Sequence, residues 1–290
     1  MKKKIIIIIS SIIGLLIIGF GIYFIVQAVK PQRKYGEIDK KVEEKTTDTE
    51  AKDVTKDAPT KYKGYEVVNY TLSNVKNKKE FKVETKGETK ALFFTQKISN
   101  ERVIKDNKAM ITTVSLGIKN VVNQRYYNNN KVLYREGSTS GDSFSFNDDT
   151  SPKSYTYDEM LNMYGWMPFE ANGYYITLDT YLDKDFGVTD LGNGKYSVEF
   201  DLKPESEYGP KYYQREILTT SGSKDYPEFK MIHLKLTIDK DFNLLTQEIK
   251  EEYKVNVAGF VATSHTEVID TFTYTNVDFK KEYIEYFNKY

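Results

Sequence analysis

Two long runs of alternating apolar and polar residues constrain the fold of this chain more than any other feature. The residues on the apolar side of the two runs are Leu234, Leu236, Ile238, Leu245, Ile249, Tyr253, Val255 and Val257. A period of two is the period of a β-strand whose two faces meet different surroundings. The turn formers between the runs, from Asp239 to Asn243, predict a β-hairpin with long arms.

Shorter stretches of the same alternation predict further strands elsewhere in the chain. They cover residues 81–85, 91–98, 109–116, 174–178, 195–202 and 268–274. Glycine, Asn and Asp predict turns at Gly87, 106–107, 128–130 and 192–194. With 24 Tyr and 16 Phe, the composition also suits strands.

Three segments carry helical patterns. Thr156 and Glu159 form a capping box, Gly165 follows as a C-terminal cap, and the apolar face is Tyr157, Met160, Leu161 and Tyr164. A second helix follows Pro210 through Tyr213, Ile217 and Leu218, and a third carries Phe279, Tyr283, Tyr286, Phe287 and Tyr290. Many strands and few helices predict an α+β fold, a curved antiparallel sheet with short helices on its concave side.

The N-terminal region predicts a membrane anchor. Residues 5–29 form an uncharged, Ile-rich and Leu-rich run after a cationic tail at residues 1–4. At about 1.5 Å per residue, such a helix is long enough to cross a hydrocarbon core of about 30 Å. The run is longer than the apolar core of a secretory signal peptide, which favours a retained single-pass anchor and leaves a cleaved signal as the alternative.

A charged stalk and a large domain follow the predicted anchor. Residues 30–60 carry eight basic and eight acidic side chains with almost no large apolar ones, a composition typical of a flexible spacer. Residues 61–290 then form one β-rich domain. The short tail is purely cationic while the far flank mixes both signs, so we expect the tail in the cytoplasm and the domain outside the cell membrane.

Composition excludes several classes of function. With 42 basic and 42 acidic residues, the chain lacks the positive surplus of a nucleic-acid-binding protein. It has no Cys and two His, and its Asp-rich turns lack the ligands that complete a calcium loop. We find no nucleophile with a base and an orienting group, so we expect no catalytic residues, no metal and no cofactor.

Two groups of residues are candidates for a ligand site. Gln247 and Glu251 fall on the otherwise apolar side of the longest run, next to Tyr253. A buried carboxylate needs a partner, for which Arg125, Arg135 and Arg215 are candidates, unless that face is only partly covered. The second group is an apolar lip after the first helix, formed by Met163, Trp166, Met167 and Phe169.

The long aromatic strands resemble the half-barrels of the LolA/LppX type. The resemblance rests on the arm from Thr85 to Gln96, the segment from Gln124 to Tyr127, and the two alternating runs 233–239 and 245–257. It covers most of residues 65–280 and extends to membrane-anchored envelope proteins of low-GC Gram-positive bacteria. Relatives are often acylated on a Cys, which this chain lacks.

The predicted membrane anchor, the predicted aromatic-rich sheet and the resemblance to LolA/LppX-type proteins together imply a non-catalytic module in the cell envelope. The first hypothesis is binding of a lipid-like or hydrophobic ligand on the concave face. The alternative is a scaffold or sensor domain that binds an envelope protein. The sequence leaves the ligand, the partner protein and the oligomeric state open.

Overall fold

A computed structural model describes residues 57–92, 94–117, 120–140, 143–146, 151–204, 211–221, 226–257 and 260–290 of the chain. The predicted tail, the predicted anchor and nearly all of the predicted stalk lie outside these ranges. Within them, no helix is both long enough and apolar enough to cross a membrane.

The described part of the domain is built on one antiparallel sheet of twelve strands. Their bounds are β1 (Glu80–Ala91), β2 (Phe94–Lys105), β3 (Lys108–Leu116), β4 (Val121–Asn128), β5 (Lys131–Ser140), β6 (Ser143–Phe146), β7 (Lys153–Thr156), β8 (Val188–Gly192), β9 (Lys195–Asp201), β10 (Glu228–Asp239), β11 (Leu244–Val257) and β12 (Phe260–Thr273). The strand order is β6-β5-β4-β3-β2-β1-β12-β11-β10-β9-β8. Strand β7 pairs with the first half of β5, at Lys131–Tyr134, and β6 pairs with its second half. The sheet is therefore open, and two meanders join where β1 pairs with β12.

The described ranges contain four α-helices and a short 3₁₀ helix (Pro59–Lys61). The α-helices are α1 (Gly64–Asn77), α2 (Tyr157–Tyr164), α3 (Lys211–Ser221) and α4 (Lys281–Phe287). Helices α1, α2 and α3 contribute Val67, Met160 and Ile217 to the main core on one face, which we call the inner face. The strands contribute residues of one parity to the same core, including Phe81, Ile111, Leu234, Leu236 and Ile238. The architecture is thus the expected large antiparallel sheet with few helices.

Helix α4 packs on the opposite face, which we call the outer face. Its Tyr286 and Phe287 bury Met110, Tyr126 and Leu133 in a second, smaller core. The prediction that all helices lie on one side of the sheet is therefore wrong, because α4 packs on the face opposite α1, α2 and α3. In β3 to β5, apolar residues occupy both faces of the sheet. The outer face therefore also has an apolar surface that α4 shields from water.

Several local predictions are confirmed. Thr156 and Glu159 form the capping box of α2, which ends at Gly165 in the left-handed region with φ 80°. The turns at Asp106-Asn107, Asn129-Asn130 and Asn193 have positive φ, as side chains of Asn and Asp tolerate. The hairpin of β10 and β11 turns where Asp239 accepts hydrogen bonds from the backbone N–H groups of Asp241 and Asn243.

Other local predictions are wrong. Gly87 lies inside β1, paired with Val268 and Ile98, while the turn falls at Leu92 and splits the predicted strand 91–98. Residues 174–178 form no strand. In β11 a register shift makes Leu245 an extra residue, so Leu244 takes the fully buried inner position.

The helical predictions also need three corrections. Leu161 lies exposed on α2 rather than on its packed face. Phe279 precedes α4 and Tyr290 follows it. Helix α1 was not predicted, because Lys63 is a weak capping residue and Gly64 a weak helix former at its first position.

Candidate functional site

An irregular segment covers the inner face between α2 and β8. We call residues 165–181 the cover segment; its Ala171, Tyr174 and Tyr181 belong to the main core. At its end the segment pairs through its backbone: Tyr181 forms an isolated antiparallel bridge with Leu202, and the N–H of Lys203 donates to the carbonyl oxygen of Thr180 at 2.8 Å. Before residue 180, polar side chains of β2 and β11 attach the segment to the sheet.

Arg102 on β2 provides the first attachment. Its guanidinium donates hydrogen bonds to the backbone carbonyls of Pro168 (3.0 Å), Glu170 (2.5 Å) and Ala171 (3.0 Å). The same group lies 5.1 Å from the ring centre of Trp166. Arg102 is buried, and burial lowers its pKa to about 10, against the opposing effect of Asp270. One side chain thus satisfies three carbonyl groups that the irregular backbone leaves without strand partners.

A chain of polar contacts crosses the sheet beneath the cover. Asn172 of the cover segment donates to Gln247 of β11 at 2.7 Å, and Gln247 donates to Asp270 of β12 at 3.0 Å. Thr85 of β1 donates to the other Asp270 oxygen at 2.6 Å. Burial raises the pKa of Asp270, while these hydrogen bonds and nearby Arg102 oppose the rise. The members are buried or partly buried and hydrogen-bonded, as buried polar groups require.

Glu251 lies on the same face of β11 as Gln247. We call the buried and partly buried polar side chains of this region the polar row: Thr85, Asn172, Tyr174, Gln247, Glu251 and Asp270. Oε1 of Glu251 accepts a short hydrogen bond from the hydroxyl of Tyr174, while its Oε2 is buried without a hydrogen-bond partner. The residue is 2% exposed, and burial raises the pKa of its carboxyl group to about 8. At neutral pH the carboxyl group is therefore mainly protonated, which avoids a buried charge.

The arginine partners proposed for Glu251 lie elsewhere. Arg125 stacks over the ring of Tyr164 at 4.2 Å, and Arg135 lies on the outer face over Tyr286 at 3.9 Å. Arg215 lies within 3.5 Å of the carbonyl oxygen of Leu161. Tyr174 is the partner instead, so a hydrogen bond to a hydroxyl group stands where an ion pair was expected.

All four residues of the predicted apolar lip pack against other side chains of the chain. Trp166 donates from its indole Nε1 to Glu216 of α3 at 2.8 Å, and Gly173 leaves room for its ring. Phe169 lies 6.5 Å from Tyr127 between ring centres. Met163 and Met167 pack against the main core. These four residues therefore lie in the layer over the inner face, and Trp166 also contacts Arg102.

Tyr253 lies on the inner face of β11, two residues beyond Glu251. Its ring packs against Phe229 at 5.2 Å, and its hydroxyl lies 3.5 Å from the hydroxyl of Thr266. Burial raises the pKa of Tyr253 to about 12. It continues the polar row toward the β1–β2 turn, where Thr89 meets Thr266 at 2.9 Å.

Sequence patterns did not identify four of the residues in these contacts. Arg102, Asn172, Tyr174 and Asp270 were not predicted, and the Tyr174–Glu251 contact joins residues 77 positions apart. The one usable signal was the parity of Asp270 and Arg102, which fall among apolar residues of one strand face. A polar residue at such a position predicts a buried partner without saying which one.

On the outer face, His233 has two acidic neighbours. Its ring nitrogens lie 2.8 Å from Asp201 and 3.1 Å from Glu199, both on β9, although the sequence gave no carboxylate at a dyad spacing. The two carboxylates lie on opposite edges of the ring, so they do not converge on one point. In the described ranges, no three His, Cys, Asp or Glu side chains form a group that could hold a metal ion.

Comparisons with known proteins show distant structural similarities, among them the following two. No family model matches the chain, and no curated protein sequence matches it. The lipoprotein LppX of Mycobacterium tuberculosis shares 9% identity over 74% of this chain and 98% of its own, with a TM-score of 0.32. A DUF1329 family protein from Desulfovibrio piger shares 11% identity over 78% of this chain and 97% of its own, with a TM-score of 0.26.

Proposed function

We propose that this chain is a non-catalytic, membrane-tethered module of the cell envelope that binds a lipid-like or hydrophobic ligand on its inner face. The main observation in support of this proposal is how the cover segment is attached to the inner face of the sheet. The segment shares the main core with apolar strand residues of the inner face, among them Leu234 and Leu236. It is irregular, and up to residue 180 its polar contacts with the sheet are those of Arg102 and the polar row.

This attachment suits a cover that is exchanged for a ligand. Burying polar groups between two layers stabilises less than packing apolar side chains there, because each group must first lose water. When the cover leaves, its polar groups and those of the row return to water, while a hydrophobic ligand takes over the apolar surface. Such a ligand gains about 25 cal/mol for each Å² of apolar area that it buries.

A cleavable cross-link tests the exchange. The chain has no native Cys, so Asn172→Cys with Gln247→Cys introduces a unique pair from the cover to β11. A bis-methanethiosulfonate linker then ties the cover down in the full chain. We expect uptake of a fluorescent C16 fatty acid by the unlinked pair, at least about tenfold weaker uptake after linking, and recovery after reduction.

A matched pair on the outer face serves as the control. Glu252 and His265 are direct strand partners, 3.5 Å apart between side-chain atoms. Linking Glu252→Cys to His265→Cys leaves uptake unchanged if the cover is the gate. Equal uptake by the linked and unlinked 172–247 pairs contradicts the proposal.

One observation favours a second function, a scaffold or sensor domain that binds an envelope protein. The side chains of the chain itself fill the inner face, in one core that runs from α1 through the sheet to α3. A domain filled in this way needs no ligand. If no variant takes up fatty acid and cross-linking in membranes captures one protein, this second function replaces the first.

A further inference from the structure

The carboxyl group of Glu251 has an unused hydrogen-bonding atom. Its Oε1 accepts from the hydroxyl of Tyr174, but among the described residues none provides a partner for the buried Oε2. Because the group is mainly protonated at neutral pH, its proton then lies on Oε2 and is a buried donor without an acceptor. An oxygen atom of a bound molecule would satisfy this donor.

Hydroxyl groups continue from Glu251 across the inner face of the sheet. Thr266 of β12 is the strand partner of Glu251, and Ser264 is the partner of Tyr253. The hydroxyl of Thr266 lies 3.5 Å from that of Tyr253 and 2.9 Å from that of Thr89 on β1. Hydroxyl groups donate and accept hydrogen bonds and carry no charge at neutral pH. We call Thr89, Tyr253, Ser264 and Thr266 the hydroxyl cluster.

The electrostatics at Glu251 disfavour an ionised ligand group. Glu216 of α3 raises the pKa of Glu251 further, so a second anion beside them would be repelled. Arg102 donates its hydrogen bonds to carbonyl groups of the cover segment instead. A cation could pair with Glu251 only after this carboxyl group lost its proton, which burial opposes.

An apolar surface begins directly on the other side of Glu251. Its strand partner on β10 is Ile232, and the carbonyl oxygen of Ile232 accepts from the N–H of Leu202, which follows β9. Both side chains are buried in the main core, as is the neighbouring Leu234. One row across the strands thus changes from hydroxyl groups at Thr89 and Thr266 to hydrocarbon at Ile232 and Leu202. Ligand sites typically combine such an apolar lining with a few polar groups.

We propose that the ligand of the inner face is a lipid with an uncharged polar group, a hydroxyl or an ester, which binds at Glu251 and the hydroxyl cluster while the hydrocarbon tail lies across β10 and β9. This inference names the ligand class of the proposed site and therefore rests on the proposed function. When the cover leaves, the hydroxyl of Tyr174 leaves with it, and oxygen atoms of the ligand take its place at Glu251. A fatty acid binds there in its protonated form.

The single Trp of the chain reports binding without a label. Trp166 lies in the cover segment, with its indole bonded to Glu216, and its emission moves to longer wavelength when the cover leaves the core. The full chain in phosphatidylcholine nanodiscs receives 1-palmitoylglycerol, its phosphate ester or hexadecylamine at equal mole fractions. We expect the midpoint for 1-palmitoylglycerol to be at least about tenfold lower than the midpoints for the two charged lipids.

A variant then tests whether Glu251 receives the polar group. Glu251→Leu removes the donor, so the preference for 1-palmitoylglycerol over hexadecane should fall about five- to tenfold. The cost of opening the cover is common to both lipids and cancels in this ratio. Glu251→Gln keeps an uncharged donor, and Glu252→Leu lies on the outer face, so both should keep the wild-type ratio.

The outcomes separate this inference from the proposed function. If the phosphate ester or hexadecylamine binds as tightly as 1-palmitoylglycerol, the ligand class is wrong while the proposed function stands. If Glu251→Leu keeps the wild-type ratio, the polar group does not bind at Glu251, and the inference is overturned in the same way. If no lipid shifts the Trp166 emission at saturation, the proposed function fails and this inference fails with it.

Discussion

At the scale of single residues, Glu251 shows how the inner face tolerates polar groups. Its side chain lies in a surface that is otherwise apolar, and its hydroxyl partner Tyr174 comes from the cover segment. Burial raises the pKa of the carboxyl group from its ordinary value near 4.5 to about 8. The group is therefore a neutral hydrogen-bonding residue in the folded chain and an ionised one in the unfolded chain at pH 7.

This difference predicts a pH-dependent stability. Between about pH 4.5 and pH 8 the folded chain holds a proton that the unfolded chain has lost, so rising pH favours unfolding. Glu251→Gln keeps an acceptor for Tyr174 and cannot ionise. We expect it to raise the free energy of unfolding at pH 7 by about 2–3 kcal/mol, and to leave it nearly unchanged at pH 4. Urea unfolding of the full chain at several pH values measures both.

The neighbouring residue provides the control for this prediction. Glu252 lies on the outer face beside His265, so Glu252→Gln should leave the pH dependence as it is in the wild type. Parallel stability curves for the wild type and Glu251→Gln would show that Glu251 titrates normally and would refute the account of the polar row.

The sequence predicts the position of Glu251 but not its partner. The alternation around Ile249 and Tyr253 places the carboxyl group of Glu251 on the buried side of β11. Because a buried carboxylate is normally paired with a cation, an arginine is then the expected partner. The partner is a phenol from a segment without regular structure. The residues next to Tyr174 in the sequence do not indicate the hydrogen-bond partner of its hydroxyl group. That partner depends on the position of the whole cover segment over the sheet.

At the scale of elements, the pairing of β1 with β12 joins the two halves of the sheet. Gly87 lies in the middle of this junction. A Cβ atom there would lie 2.3 Å from the carbonyl oxygen of Glu267 and 2.4 Å from Cγ1 of Val268. The glycine is therefore required by a close approach of strands rather than by a turn, which its sequence context suggested.

Adding one methyl group at this position tests the junction. Gly87→Ala should lower the free energy of unfolding by about 2–3 kcal/mol, because the backbone of β12 has to move away. Gly187 is the matched control, since a Cβ atom there has no neighbour within 4 Å. Equal stability of Gly87→Ala and Gly187→Ala in urea would mean that the two strands do not approach as closely as described.

Elements with local signals are predictable, and elements defined by distant contacts are not. The capping box of α2 and the Asn turns depend on a few neighbouring residues, and they are confirmed. The bulge at Leu245 depends on how β10 and β11 pair, so alternation alone assigned it to the wrong position. The outer position of α4 depends on Met110 and Leu133, more than 140 residues earlier.

At the scale of the whole molecule, the two faces of the sheet carry different covers. On the outer face, α4 packs Phe287 against Tyr126 at 5.6 Å between ring centres, a contact of apolar surfaces. On the inner face, the cover segment is attached through Arg102 and the polar row. We expect the inner cover to open at a lower free energy than α4, because irregular polar attachments unfold locally before packed cores do.

Hydrogen exchange of the full chain in lipid nanodiscs, with and without palmitate, tests the ligand proposal most directly. If palmitate replaces the cover, the backbone amides of residues 168–181 exchange at least about tenfold faster in its presence, while those of β10, β11 and α4 keep their rates. If saturating palmitate leaves the exchange of residues 168–181 unchanged, the cover is a permanent part of the core and the inner face is not a ligand site.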